Sequence, residues 1–270
     1  MTLKILVTND DGIDAPGLKI AEQIAKQIAG ETGEVITVAP AVDQSGVGHS
    51  ISYLRPSLIT KQSDTRYSVE GSPADCVLAG VYNVMNGNKP NLILAGINNG
   101  HNLAEDVLYS GTVGAAMEGA LQGIRSIAMS QCYTKESQLF DDIFETARHL
   151  GANICSKLIT ESDWAVGADN IFYNVNFPAV RVAEVAGLSA CIQGRRSVGS
   201  FSMDSIKSPN GRTFLMVNHR PSNLAVETDK SYKTDLDEIK NNYVTITPLK
   251  TNLTELNYIG KLQNILKNEY

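Results

Sequence analysis

The chain of 270 residues is long enough for one large domain, or for one domain with a substantial appendage. Hydrophobic residues make up 43% of it and charged residues 19%, which is typical of folded globular proteins and excludes an intrinsically disordered chain. The formal net charge of −6 argues against general binding to nucleic-acid polymers or anionic membranes, because both need a basic surface.

Short apolar strands alternate with helical patterns through the first two thirds of the chain. The apolar run at residues 3–7 ends in Thr-Asn-Asp-Asp, which is typical of a strand buried on both faces of a parallel sheet. Continued alternation predicts a doubly wound, mostly parallel α/β sheet. The predicted strands are 3–7, 35–39, 92–97, 127–129 and 171–177, and the predicted helices are 18–28, 73–85, 111–121 and 137–158.

The alternation ends after Pro178. Residues 194–220 are polar and rich in turn formers, which predicts a β-hairpin or arm. Arg195, Arg196 and Arg212 make this stretch locally basic. These arginines either reach over a substrate phosphate or lie on solvated surface, and the sequence leaves both possibilities open.

The last part of the chain has the pattern of a strand followed by a helix. Residues 243–248 alternate as in a short strand, and an amphipathic helix is predicted to begin at Asn252. We therefore expect a catalytic core at residues 1–185 and an arm with a C-terminal strand-helix segment at 186–270. Such a tail often docks on a partner subunit, which predicts a homo-oligomer.

The cellular environment can be predicted from cysteine usage and from the lack of long apolar runs. The four cysteines include no Cys-x-x-Cys pair, which indicates reduced thiols rather than a disulfide framework or a zinc knuckle. No apolar run approaches the roughly 20 residues that cross a bilayer, and charged residues interrupt the N-terminus before a signal peptide could form. We expect a cytoplasmic protein with no membrane partner.

Small polar residues cluster at three predicted strand ends, where doubly wound sheets bind their ligands. Adjacent carboxylates such as Asp10 and Asp11 repel each other unless a cation relieves them. With a hydroxyl and an amide they form an all-oxygen set that suits Mg²⁺, Ca²⁺ or Mn²⁺ better than zinc. The alternative is that Asp10 belongs to an ordinary Asp-Gly turn. The three strand ends are residues 9–12, 43–46 and 98–102.

Ser110, Gly111 and Thr112 open the predicted helix at 111–121. The free backbone N–H groups of a helix start, together with the helix dipole, suit a phosphate group, although a simple Ser N-cap is the alternative. His49 and His101 fall in the candidate loops and are possible acid/base groups. The sequence lacks a complete P-loop, dinucleotide-binding fingerprint or Gly-x-Ser-x-Gly motif.

Longer motifs extend this picture over most of the chain. They are Ile5–Gly17, Ala39–Pro40 with Gln44–Gly46, Gly71–Cys76, Gly96–Leu103, Tyr109–Val113, Asn174–Pro178 and Tyr243–Leu249. Together they resemble the SurE family of survival-protein nucleotidases. The resemblance implies a Rossmann-like core with a β-hairpin arm and an extended, exchanged C-terminal segment, assembled as a homodimer or homotetramer.

The resemblance also implies a metal-dependent phosphatase that hydrolyses nucleoside 5′-monophosphates, with 3′-monophosphates and short polyphosphate as further candidate substrates. One divalent ion, Mg²⁺ or Mn²⁺, is expected per subunit. Because a fold alone does not fix function, a non-catalytic module that binds nucleotide or metal remains the alternative.

Carried over by motif position, the resemblance implies a role for each site residue. The metal ligands would be Asp10, Asp11, Ser45 and Asn98. Asp10 and Asn9 would be catalytic. The phosphate site would be lined by Asn9, Asn102, Ser110, Gly111 and Thr112.

Overall fold

A mostly parallel sheet with helices on both faces forms the body of the protein. The computed structural model describes residues 2–166, 169–197, 201–219 and 231–267. The strands are β1 (Lys4–Thr8), β2 (Glu34–Pro40), β3 (Ile59–Lys61), β4 (Arg66–Val69), β5 (Leu92–Asn99), β6 (Arg125–Gln131), β7 (Ala165–Val166), β8 (Asp169–Phe177), β9 (Gly187–Ala190), β10 (Phe201–Lys207), β11 (Thr213–His219) and β12 (Tyr243–Lys250). The helices are α1 (Pro16–Ala29), α2 (Pro73–Leu78), α3 (Gly111–Leu121), α4 (Glu145–Glu161), α5 (Asp235–Lys240) and α6 (Leu256–Leu266).

The order of the strands places β1 near the centre of the sheet. The order is β3-β4-β2-β1-β5-β6-β8-β12-β9, with β7 beside β8. β1 pairs in parallel with β2 on one side and with β5 on the other. The chain therefore builds the sheet outward in two directions from β1, and the crevice between β1 and β5 is where doubly wound sheets bind ligands.

The continuous apolar run of β1 is explained by its burial on both faces. Ile5 and Val7 are fully buried and pack in the core with α1 and α4. Leu6, also fully buried, points to the other face and packs in the core with α2 and α3. Burying an aliphatic side chain is worth about 1.5–3 kcal/mol, so this strand can hold a polar segment at its carboxyl end.

The predicted doubly wound fold is confirmed, and helix α3 has the predicted bounds. The predicted helix at 137–158 was wrong at its start. A short 3₁₀ turn at Ser137–Leu139 ends in extended backbone at Phe140, and α4 begins only at Glu145. The strands β3, β4 and β9 and helix α5 were not predicted, because they are short and carry no apolar repeat long enough to detect.

Some of the residues after 185 extend the main sheet, and others form a separate pair of strands. β12 pairs antiparallel with β8 and parallel with β9, so both strands continue the sheet of the first 185 residues. β10 and β11 form the predicted hairpin as a separate antiparallel pair. The division into two parts at residue 185 stays a prediction. Residues 198–200 and 220 of the predicted arm lie outside the described residues.

The C-terminal helix begins later than predicted. α6 starts at Leu256 with Glu255 as its N-cap, not at Asn252, whose side chain instead accepts a hydrogen bond from the Thr254 N–H. None of the residues of α6 is buried. Within the part of the chain that the structure describes, no helix has the length and hydropathy needed to cross a bilayer.

Candidate active site

The polar strand ends meet in one cleft at the carboxyl ends of β1 and β5. Its volume is about 530 Å³, within the range typical of small-molecule sites. Residues implied as metal or phosphate ligands and aromatic residues line it together. The lining residues are Asp10, Asp11, Ser45, Gly46, Asn98, Asn99, Gly100, His101, Asn102, Asp106, Tyr109, Ser110, Tyr133, Phe201 and His219.

Asp10 lies two residues after the end of β1 and against the start of α3. Its carboxylate accepts hydrogen bonds from the Thr112 N–H, at 3.1 Å, and from the Thr112 hydroxyl. A Cβ at Gly111 would lie 2.9 Å from the Cβ of Asp10 and 2.9 Å from the Cγ of Pro73. Only glycine therefore allows the helix to approach Asp10 this closely, and the contact fixes the carboxylate in the cleft.

The pKa values of Asp10 and Asp11 are both raised. Burial, and to a smaller extent the nearby charge of Asp11, raise the pKa of Asp10 to about 6 against the opposing effect of the Thr112 hydrogen bonds. Burial also raises the pKa of Asp11, against a hydrogen bond from the Asn99 N–H. Neither Lys nor Arg occurs among the lining residues in the described part of the chain. A bound cation would supply the missing positive charge.

Ser45 is placed by a tight turn in the loop of residues 41–50, which we call the Ser45 loop. Its N–H and its hydroxyl both donate to the Asp43 carboxylate at 2.7 Å. The Gln44 N–H donates to the Asp10 carbonyl at 2.8 Å, which ties the loop to the end of β1. Asn98 donates through Nδ2 to the Gly100 carbonyl at 2.9 Å, so its amide oxygen is the atom available as a ligand.

These four groups suit a divalent cation. Asp10 and Asp11 contribute carboxylates, Ser45 a hydroxyl and Asn98 an amide oxygen, all in the same cleft. Oxygen donors of this kind are preferred by Mg²⁺ and Mn²⁺. The raised carboxylate pKa values give an independent reason for the fit, because a cation stabilises the charged forms that burial disfavours.

Hydrogen bonds with residues of β6 and β8 fix the position of Asn102. Its side-chain amide donates to the Ser130 hydroxyl at 2.8 Å. Its backbone N–H donates to the Asn176 amide oxygen at 2.8 Å, and its carbonyl accepts from Asn174 at 2.7 Å. Ser130, Asn174 and Asn176 are not among the predicted site residues, although Asn174–Pro178 is one of the motifs of the resemblance. The Asn-x-Asn pair, which interrupts the mostly apolar run at residues 171–177, was the signal that could have identified the last two.

Three predicted site residues lie behind the cleft wall. Asn9 is fully buried, and its Nδ2 donates to the Gly12 carbonyl at 2.9 Å, which closes the turn after β1. Thr112 is also fully buried, and its N–H and hydroxyl are used by Asp10. Gly111 provides the close approach to Asp10. Ser110, in contrast, lines the cleft, and its hydroxyl caps α3 by accepting from the Val113 N–H at 3.1 Å.

Asp106, on the short 3₁₀ helix at Ala104–Leu108, lines the cleft and is contacted by three basic side chains. Arg196 Nη2 lies 2.8 Å from the Asp106 carboxylate, and Arg196 is only 6% exposed. The nitrogens Nε2 of His101 and His219 lie 3.4 and 3.6 Å from the same carboxylate. Arg196 is thus a buried ion-pair residue rather than solvated surface, whereas Arg195 and Arg212 are exposed.

Comparison with known proteins agrees with this geometry. A family model described as Survival protein SurE matches residues 5–200. The 5′-nucleotidase SurE of Cereibacter sphaeroides is 47% identical over 264 residues, covering 98% of this chain and 100% of that protein. The 5′-nucleotidase SurE of Jannaschia sp. is 44% identical over 271 residues, with the same two coverages of 98% and 100%.

The fold itself matches a solved structure of the same family. The crystal structure of the SurE protein from Aquifex aeolicus has a TM-score of 0.78 and 33% sequence identity to this chain. The match covers 97% of this chain and 99% of that one. The resemblance predicted from the sequence motifs is confirmed, and the chain belongs to the SurE family of survival proteins.

Proposed function

We propose that the protein is a 5′-nucleotidase, a phosphatase that releases phosphate from nucleoside monophosphates. The observation that carries this function is the similarity, over nearly its whole length, to proteins named 5′-nucleotidase SurE. The cleft supports it, because carboxylates suited to a metal lie in it beside Asn102 and Ser110, whose polar side chains suit a phosphate. Nucleoside 3′-monophosphates and short polyphosphate are further candidate substrates.

Membership of the family implies a divalent metal cofactor. We infer one Mg²⁺ or Mn²⁺ per subunit, held by Asp10, Asp11, Ser45 and Asn98. When bound, such an ion supplies Lewis-acid stabilisation of charge on the phosphoryl oxygens and lowers the pKa of bound water.

The protein's own groups prepare the phosphate for attack. Thr112 orients the Asp10 carboxylate through two hydrogen bonds. Asn102 and Ser110 lie in the cleft on rigid supports and are assigned to hold the phosphate oxygens. We keep the inferred catalytic role of Asp10 and assign Asn9, which closes the turn after β1, to the same centre. Such preorganised donors stabilise charge that develops in the transition state.

The first experiment measures phosphate release from AMP. We expect release with Mg²⁺ or Mn²⁺, loss of release with EDTA, and loss of release in Asp10→Asn. The matched control is Asp64→Asn, because the Asp64 side chain is 97% exposed on the surface. AMP binding without any phosphate release, from a folded and metal-loaded protein, would instead establish a non-catalytic binding module.

Assembly with a second copy of the chain is proposed on separate grounds. Within α6, Leu256, Ile259 and Leu262 are between 39% and 64% exposed, and Ile265 and Leu266 continue the exposed apolar surface. An amphipathic helix whose apolar residues stay exposed commonly packs on another subunit. We therefore infer a homodimer or homotetramer formed through the C-terminal segment. The cytoplasmic location stays a prediction.

A further inference from the structure

One side of the cleft consists of aromatic rings. Tyr109, Phe201 and His219, which we call the aromatic wall, all line it. The ring centroids of Tyr109 and Phe201 are 4.7 Å apart in an edge-to-face arrangement, and those of Phe201 and His219 are 5.1 Å apart. Tyr109 is 44% exposed and Phe201 40%, so each ring keeps a substantial surface that its neighbours do not cover.

The hairpin places two of these rings in the cleft. Phe201 and His219 are directly paired across β10 and β11, so their side chains lie on one face of the hairpin. Nε2 of His219 lies 3.6 Å from the Asp106 carboxylate, which Arg196 also binds at 2.8 Å. The contact with Asp106 therefore helps to place the His219 ring, and with it one end of the aromatic wall.

The aromatic wall is continuous with the proposed phosphate site. Tyr109 directly precedes Ser110, the N-cap of α3, and both residues line the cleft. The Tyr109 carbonyl also accepts from the Gly48 N–H at 2.9 Å, which joins it to the Ser45 loop. A ligand whose phosphate lies at Ser110 therefore has an aromatic surface immediately beside it.

We propose that the aromatic wall, and Phe201 in particular, stacks against the nucleobase of the substrate. This inference rests on the proposed nucleotidase function and adds a means of selecting nucleotides over phosphorylated sugars that lack a base. Stacking suits the site, because every nucleobase has a flat π-face and an exposed aromatic ring gains from covering it. It also predicts acceptance of different bases, since stacking reads no hydrogen-bond pattern.

The test compares AMP with ribose 5-phosphate, which carries the same phosphate and sugar without the base. We expect kcat/KM of the wild-type protein to be higher for AMP. Phe201→Ala is expected to lower kcat/KM for AMP by about 5- to 150-fold, the range found for loss of one base–aromatic stack. KM should carry most of the loss, hydrolysis of ribose 5-phosphate should be unchanged, and Phe201→Trp should retain the preference for AMP.

Phe214→Ala is the matched control. Phe214 is on the same hairpin and is 57% exposed, but it is not one of the cleft-lining residues. This variant should leave both substrates unaffected, and light scattering should give the same molecular size for both alanine variants.

Equal losses on the two substrates in Phe201→Ala, or no loss on AMP, would overturn the stacking proposal and leave the nucleotidase function standing. Equal kcat/KM values for the two substrates in the wild-type protein would overturn it even if the alanine variant does not fold. Absence of phosphate release from both substrates by the wild-type protein would instead contradict the proposed function.

Discussion

Asp10 occupies a position where a negative charge is costly. The residue is 3% exposed, and burial raises its pKa from a usual value of 3.8 to about 6. A native state with a raised carboxyl pKa binds the proton more tightly than the unfolded chain does. The free energy of unfolding of the metal-free protein should therefore fall as the pH rises from about 4 to about 6. Above that pH range, the buried charge of Asp10 lowers the free energy of unfolding by about 3 kcal/mol.

Replacing this carboxylate should stabilise the metal-free protein. We expect Asp10→Asn to raise the free energy of unfolding near pH 7.5 by up to about 3 kcal/mol, because the buried charge is removed while the amide oxygen still accepts from the Thr112 N–H. The gain should vanish near pH 4, where the native wild-type carboxyl is already protonated. Urea denaturation in EDTA at the two pH values measures both quantities.

Adding Mn²⁺ provides the control for this prediction. The metal should stabilise the wild-type protein, because ligands that bind only the native state raise its stability, and it should have little effect on Asp10→Asn. A variant less stable than the wild-type protein at both pH values would contradict a charge-based cost. The hydrogen bonds with Thr112 would then be the dominant contribution of Asp10.

At the scale of whole elements, the site depends on how the Ser45 loop is attached to α3. His49 Nε2 lies 2.7 Å from the carboxylate of Glu118, which the Gln122 amide also binds at 2.7 Å. The His49 hydrogen bond is the largest of the effects that lower the pKa of Glu118. A Cβ at Gly114 would lie 2.5 Å from the Gly48 carbonyl oxygen, so the loop lies directly against the helix.

Loss of this attachment should weaken metal binding without removing a metal ligand. We expect His49→Ala to lower the affinity for Mn²⁺ by about tenfold, the lower end of the range for residues that orient metal ligands, because Ser45 is held less firmly. Isothermal titration calorimetry measures the affinity. The matched control is His149→Ala, since His149 lies on the exposed surface of α4.

An unchanged Mn²⁺ affinity in His49→Ala would show that the loop holds its shape through its backbone contacts alone. Those contacts include the hydrogen bonds from the Gln44 N–H to the Asp10 carbonyl and from the Gly48 N–H to the Tyr109 carbonyl. The free energy of unfolding should be measured for both variants, because a buried Glu118 without its partner is itself destabilising.

The elements that carry the metal ligands could be predicted from the sequence, because the carboxyl ends of neighbouring parallel strands meet at one edge of the sheet. The use of Thr112 by Asp10 could not be predicted, because the two residues are 102 positions apart and the hydrogen bond depends on how closely α3 approaches β1. The contact between Asp106 and His219 depends in the same way on the return path of the hairpin. The hydrophobic periodicity of a sequence shows which face of an element is buried, but not how closely two elements far apart in the chain approach each other.

At the scale of the whole molecule, α6 is an element that leaves its apolar residues exposed in the single chain. Deleting residues 252–270 spares β12, which ends at Lys250 and completes the sheet beside β8. We expect the truncated protein to remain folded and to assemble from fewer subunits than the full chain, because the exposed apolar face of α6 is removed. Light scattering measures the number of subunits, and an unchanged number would contradict assembly through this helix.

The hairpin and the phosphate chemistry occupy different parts of the chain. Every residue assigned to the metal and the phosphate precedes position 113, whereas Phe201 and His219 lie beyond residue 200, where the match to the family model ends. On the stacking proposal, a change of hairpin sequence alters which leaving group is favoured without touching the groups assigned to the metal and the phosphate. Exchanging residues 201–219 between two relatives should transfer the part of substrate preference that Phe201 and His219 carry, while the reaction centre stays that of the recipient.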